Sequence, residues 1–320
     1  MHSANHAPAR IAITLGDVCG IGPEIVLKAM SDPLLALRCV VVGDPRLLAA
    51  QAAQLGLPMP REIMPVEGLR APYPQLGALD AKAGDAAYRY IVRAVEMAMS
   101  GEVGAIVTAP ISKAAMQRAG HHYPGHTELL ATLAGGCEVR MMLVNPELRV
   151  VLVTVHEALR TAVSNITPAN VLRTIEIADA GLRKAGIAQP RLAVAGLNPH
   201  AGEDGLFGAE ELEQIAPAIA AACARGITVS GPFPPDTIFM QARGLERFDA
   251  VIAMYHDQGL IPVKYLGLDE GVNVTLGLPF VRTSPDHGTA FDIAGSGRAD
   301  PRSLIRAIDC AREIYDGNIR

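Results

Sequence analysis

The sequence contains no tryptophan, and aromatic side chains of all kinds make up only 4% of its 320 residues. Charge is sparse as well: 19% of positions are Asp, Glu, Lys or Arg, and 28 basic against 33 acidic residues leave a net charge of −5. No basic stripe is available to follow a phosphate backbone, which argues against a nucleic-acid partner. Half of the residues are hydrophobic, so the low-hydropathy, high-charge signature of disorder is missing. There are five cysteines, Cys19, Cys39, Cys137, Cys223 and Cys310, an odd count with no C-x-x-C pair. This is neither a disulfide framework nor a zinc-finger pattern, and the expected compartment is the reducing cytoplasm. No stretch approaches 18 consecutive apolar residues, and the first ten residues carry no apolar core. Neither a membrane span nor a secretory leader is expected.

What is present is alternation. Residues 10–15 (RIAITL) read as a buried strand, followed by a glycine loop and a helix opening at Pro23, with proline in its favoured first position. Further strands are expected at 40–43, 105–108, 140–144, 148–156, 191–197, 250–254 and 272–276, and helices over 46–55, 83–100, 168–184, 210–225 and 301–315. Such alternation predicts an α/β protein with a mostly parallel sheet and helices on both faces. The 23 prolines and 31 glycines suit many short connections, and no Gly/Ser-rich linker interrupts the chain. In open α/β sheets, ligands bind beyond the carboxyl ends of the strands, so polar residues directly after an apolar run carry the most weight.

Three histidines occupy that position: His156 after VVLVTV, His200 after LAVAGLNP and His256 after VIAMY. Each is followed closely by a carboxylate, Glu157, Glu203 or Asp257. Each can be a core-edge histidine bonded to backbone; together they can be the three neutral imidazoles of an open divalent-metal site assembled by the fold. The loop GDVCGIGPE (16–24) is placed like an anion-binding turn, but it fits a tight strand-to-helix connection better, and no G-x-G-x-x-G or P-loop occurs. Thr127, just before the apolar run 129–133, reads as a helix cap, and His126 beside it is placed to meet an anion. Lys264 and Arg282 interrupt apolar segments, where a cation is costly unless paired or liganded. They suit either internal salt bridges to Asp257 or Asp286, or a phosphate or carboxylate site. Ser284, Asp286 and His287 are too close in sequence for a hydrolase triad. His2, His6, His121 and His122 read as solvent-facing.

Taken in order, GDVCGIGPE (16–24), YPGHTELLA (123–131), GLNPHAGE (196–203), GPFPPDT (231–237), MYHDQG (254–259), GVNVTLGLPFVRTS (271–284) and DHGTAFDIAG (286–295) resemble the 4-hydroxythreonine-4-phosphate dehydrogenase family over essentially the whole chain. The last motif is also similar to the adenosine-binding loop of isopropylmalate and isocitrate dehydrogenases. The resemblance implies two α/β/α domains around a cleft, isocitrate/isopropylmalate dehydrogenase-like. Their expected extents are residues 1–125 plus 275–320 on the cofactor side, and 126–274 for substrate, metal and dimerisation. It implies a homodimer with the active site at the subunit interface. A divalent metal (Zn, Mg, Co or Mn) is expected on His156, His200 and His256, and substrate on His126, Thr127, Lys264, Asn273 and Arg282. NAD is expected on the loop around Gly288, Thr289 and Asp292, and Lys264 or Asp257 as proton acceptor. Val18-Cys19 depart from the family's usual Pro-Ala. The implied reaction oxidises the C3 hydroxyl of a small 4-phosphorylated 3-hydroxy acid and then releases CO2. Residues 82–94, 123–133 and 234–242 look closer to the branch acting on 4-phospho-D-threonate and 4-phospho-D-erythronate than to the vitamin B6 biosynthetic branch. A cis-dihydrodiol dehydrogenase and a non-catalytic binder of phosphorylated sugar acids are the remaining alternatives.

Overall fold

The structure, a computed structural model, describes residues 10–267 and 270–319; His2 and His6 lie outside them. Among the described residues the strands are β1 (Ile11–Thr14), β2 (Cys39–Gly43), β3 (Ile63–Pro65), β4 (Ala105–Thr108), β5 (Arg140–Val144), β6 (Arg149–Leu152), β7 (Leu192–Ala195), β8 (Val229–Phe233), β9 (Ala250–Ala253), β10 (Val272–Leu276) and β11 (Val281–Pro285). The chain divides into two compact units. The first takes the chain up to Glu138 together with Leu278–Asp316; the second takes Val139–Gly277 and the residues from Gly317.

In the first unit the strands run β3-β2-β1-β4-β11, all parallel. Ile13 lies opposite Val41 on one side and Val107 on the other. Strands β1, β2 and β4 are buried throughout, which is why they read as unbroken apolar runs rather than alternating ones. The helix Ala81–Met99 starts at Asp80, whose carboxylate accepts a hydrogen bond from Lys82 N at 2.6 Å. Asp44 caps Pro45–Leu55 in the same way, accepting from Arg46 N at 2.9 Å and Leu47 N at 3.2 Å. Gly84 permits a close crossing, since a Cβ there would stand 2.3 Å from the Ala115 carbonyl in the helix Lys113–Arg118.

The second unit has the strand order β10-β5-β6-β9-β7-β8. Here β5 pairs antiparallel with both β10 and β6, while the β6, β9, β7 and β8 pairings are parallel. The β5–β6 turn is closed by Asn145, whose Oδ1 accepts from Glu147 N (2.9 Å) and Leu148 N (2.7 Å). Leu143, Val150, Leu152, Ala193, Val251 and Ala253 form the centre of its core.

Several expectations change. The helix His126–Leu133, placed above in the second domain, belongs to the first unit and packs beside Ala81–Met99, burying Leu129 and Leu130. The chain end beyond Asp316 joins the second unit, where Ile319 N donates to Ala185 O at 3.2 Å. The strand expected at 148–156 stops at Leu152. A helix at His256–Leu266 was hidden by its HDQG start and internal Pro262, and β11 by its polar Arg-Thr-Ser centre. His121 is not solvent-facing: its ring stacks on Tyr88 at 3.8 Å and its Nε2 lies 3.0 Å from Asp85 Oδ1, whereas His122 is exposed. All five cysteines are free, and among the described residues no helix is long and apolar enough to cross a membrane.

Candidate active site

The parallel pairing of β6 with β9, Leu152 opposite Ala253, brings two of the three flagged histidines together. Four residues beyond β6 lies His156; His256 opens the helix His256–Leu266 just after β9. Their ring centroids are 5.7 Å apart, tilted by 46°, on the wall of a cavity of about 400 Å³. His256 Nδ1 lies 2.7 Å from Asp257 Oδ1, so the neighbouring carboxylate orients the ring and directs Nε2 away from it. Glu157 serves differently, accepting from Asn165 Nδ2 at 2.7 Å. This donor set, two imidazoles with one backed by a carboxylate, fits a borderline divalent metal.

His200 does not join the pair. Among the described residues no group of three His, Cys, Asp or Glu side chains is close enough to hold a metal ion. His200 begins a run of left-handed backbone, with φ of 53° at His200, 55° at Ala201, 78° at Gly202, 43° at Glu203 and 56° at Asp204. Left-handed residues with a Cβ cost roughly 1–2 kcal/mol each, so the run needs support from its surroundings. The His200 ring faces Phe207 at 6.1 Å.

A second cluster forms in the first unit. Gly125, extended and without a side-chain cap, is the N-cap of His126–Leu133; Thr127 therefore lies inside the first turn and does not cap it. The Nε2 atom of His126 is buried and has no hydrogen-bond partner among the described residues. Burial, with the positive charges of Arg282 and Lys113, holds its pKa well below the usual imidazole value. Arg282 in β11 is 2% exposed and donates from Nη2 to Thr108 Oγ1 at 2.6 Å. Burial lowers its pKa to about 9, against an opposing pull from Glu128. A buried guanidinium that lowers the pKa of an imidazole at a helix N-terminus is an arrangement that can receive an anion. Lys113 was not singled out in the sequence, because nothing local distinguishes it from other exposed lysines.

The remaining expected residues are distributed as follows. Asn273 sits in β10 of the second unit with Oδ1 buried and without a hydrogen-bond partner among the described residues. Lys264 is in the last turn of His256–Leu266. Asp257 lies in the first turn of that helix, and at about 1.5 Å per residue the two are roughly 10 Å apart along its axis. In the first unit, the loop carrying Gly288, Thr289 and Asp292 docks on the glycine loop after β1. Ile21 N donates to Thr289 O at 2.9 Å, and a Cβ on Gly20 would meet Thr289 O at 2.7 Å. Gly77, outside the motifs, completes this corner, with its N donating to Cys19 O at 2.8 Å. Gly288 and Asp292 are exposed, leaving both accessible to a ligand.

The geometry can be set beside known proteins. Residues 35–311 match the family of pyridoxal phosphate biosynthetic protein PdxA. The chain is 52% identical to a 4-hydroxythreonine-4-phosphate dehydrogenase of Beijerinckia indica, over 95% of this chain and 94% of that one. It is 50% identical to a D-threonate 4-phosphate dehydrogenase of Cupriavidus necator, over 95% and 96%. A solved structure of a 4-hydroxythreonine-4-phosphate dehydrogenase from Klebsiella pneumoniae superposes with a TM-score of 0.90 at 43% identity, covering 96% of this chain and 99% of that one. The chain is an oxidoreductase of the dehydrogenase type, and it belongs to the pyridoxal phosphate biosynthetic protein PdxA family.

Proposed function

We propose that this dehydrogenase uses NAD and a divalent metal to oxidise the C3 hydroxyl of a 4-phosphorylated 3-hydroxy acid, whose β-keto acid product then loses CO2. The observation that supports the substrate class is the electrostatic coupling of the buried Arg282 to His126, which opens a helix; such an arrangement favours a phosphate or carboxylate. Thr127 in the first turn and Asn273, with its buried acceptor, are the further substrate contacts.

His156 and His256 of one chain would hold the metal, and His200 would supply the third imidazole when two copies of the chain come together. Support for pairing comes from the exposed apolar side chains of the second unit, Leu159, Leu206, Phe207, Ile261 and Tyr265 among them, on and near the segments that carry the histidines. A bound divalent cation lowers the pKa of a coordinated hydroxyl by several units and polarises a carbonyl. Lys264 in the last turn of the helix His256–Leu266, or Asp257 beside His256 in its first, would accept the C3 hydroxyl proton. The Gly288–Thr289–Asp292 loop would hold the nicotinamide cofactor, which would supply the acceptor for the C3 hydride. The Asp292 carboxylate suits a ribose hydroxyl better than an additional phosphate, which favours NAD over NADP. Five free cysteines, three of them buried, suit work in the reducing cytoplasm.

The test is NADH formation by the purified protein, with and without a chelator, on 4-phosphohydroxy-L-threonine and 4-phospho-D-threonate side by side. Chelator-sensitive turnover of the first alone assigns vitamin B6 biosynthesis, and of the second alone sugar-acid catabolism. Turnover of neither removes the proposal.

A further inference from the structure

We propose that Glu211 is a positioning residue for His200: its buried carboxylate fixes the backbone from which that histidine projects. The inference rests on His200 being a metal ligand, as proposed above. Glu211 is 2% exposed, and a carboxylate so buried is costly unless its oxygens are satisfied. They are satisfied by the loop that leads to His200. Oε1 accepts from Leu197 N and Asn198 N, both at 2.7 Å, and Oε2 accepts from Asn198 Nδ2 at 2.9 Å. Charge-assisted bonds to two successive backbone amides define the direction in which the chain enters Pro199 and His200.

The glycines of the GLNPHAGE motif fit this role. A Cβ on Gly202 would stand 2.7 Å from Glu211 Oε2, and one on Gly196 would stand 3.1 Å from Oε1 and 2.9 Å from Ala201 Cα. Only glycine at both positions lets the left-handed turn close over the carboxylate. Glu211 itself begins a short π-helical turn, Glu211–Ile215, an irregularity often found at functional sites. The same loop is tied to the second flagged strand end. Gln258 Nε2 donates to Gly196 O at 2.7 Å, and its Oε1 accepts from Met254 N at 2.6 Å, two residues before His256. Loop and ligand are thus set by side chains that need not touch metal or substrate. Outer residues of this kind typically change metal affinity by 10- to 100-fold.

The experiment compares Glu211→Ala, Glu211→Gln and His200→Ala in the full-length protein. Cobalt(II) titration followed by visible absorption reads metal affinity, amide hydrogen exchange reads Leu197 and Asn198, and thermal melting reports folding. Glu211→Ala should bind cobalt about 10- to 100-fold more weakly. Its turnover should recover at saturating metal, and Leu197 and Asn198 should exchange fast. Should Glu211→Ala fail to fold, Glu211→Gln carries the test. It keeps an acceptor for the two amides but can present a donor to Asn198 Nδ2, and it should show a smaller loss of the same kind. Folded Glu211 variants with unchanged cobalt affinity, beside a weakened His200→Ala, would overturn the positioning role and leave the metal assignment standing. Unchanged affinity in His200→Ala would overturn the metal assignment itself, and the positioning role with it.

Discussion

The imidazole pKa of His126 is held down by burial and by the positive charge of the buried Arg282, with Lys113 adding to it. Because these hold the folded-state pKa of His126 well below its unfolded value, protonation of the ring opposes the folded state. Its imidazole resonances should titrate well below the usual imidazole range in the ligand-free protein. Titration centred near pH 6.5, the unperturbed value, would mean that the pocket is open to water.

Arg282→Ala removes a buried donor and charge from the proposed anion site. A hydrogen bond to a charged group is worth about 1.5–3 kcal/mol, so the Michaelis constant for phosphorylated substrate should rise about 10- to 100-fold. That for NAD should change little. Equal effects on both would make Arg282 a structural residue of β11.

Asp17, in the loop after β1, is fully buried, with Oδ1 accepting from Cys19 N at 2.9 Å and Oδ2 without a partner among the described residues. Desolvation raises its pKa from 3.8 to about 6. The folded state therefore keeps its proton between pH 4 and 6 where the unfolded chain has lost it. Stability falls as pH rises through that window, then stays flat above it. The total is about 3 kcal/mol, from about 1.36 kcal/mol per unit. Asp17→Asn keeps the acceptor but cannot ionise, so it should melt several degrees above the parent at pH 7.5 and close to it at pH 4. A constant difference across both pH values would show that ionisation is not the cause.

Gly84→Ala places a methyl group against the backbone of Ala115, which cannot turn aside. Overpacking of this kind costs about 1–3 kcal/mol, and the urea midpoint should fall while the slope is unchanged. An unchanged midpoint would mean that the helices Ala81–Met99 and Lys113–Arg118 separate at little cost.

The strands at Ile11–Thr14, Cys39–Gly43 and Ala105–Thr108 were legible because each is buried on both faces and so consists of uninterrupted apolar residues. The helix His256–Leu266 was not, since its polar start and internal proline resemble a loop and its hold comes from Leu260 and Val263 against the core. The histidines could be picked out one at a time because each follows an apolar run, a local property. Glu211 could not: an acidic residue in a helical pattern reads as surface, and only the fold reveals that its carboxylate lies under the Leu197–Asn198 amides.

The sequence by itself determined the α/β class and, through seven ordered motifs, the resemblance to a dehydrogenase family, because these depend on residue order and local periodicity. Which side chains meet was decided only by tertiary structure. His156 and His256, a hundred residues apart, converge because β6 pairs in parallel with β9, and the charge of Arg282 in β11 reaches His126 at a helix start far from it in sequence. Register, burial and the charge state that burial imposes arise from long-range contacts, and these leave no periodic mark on the chain.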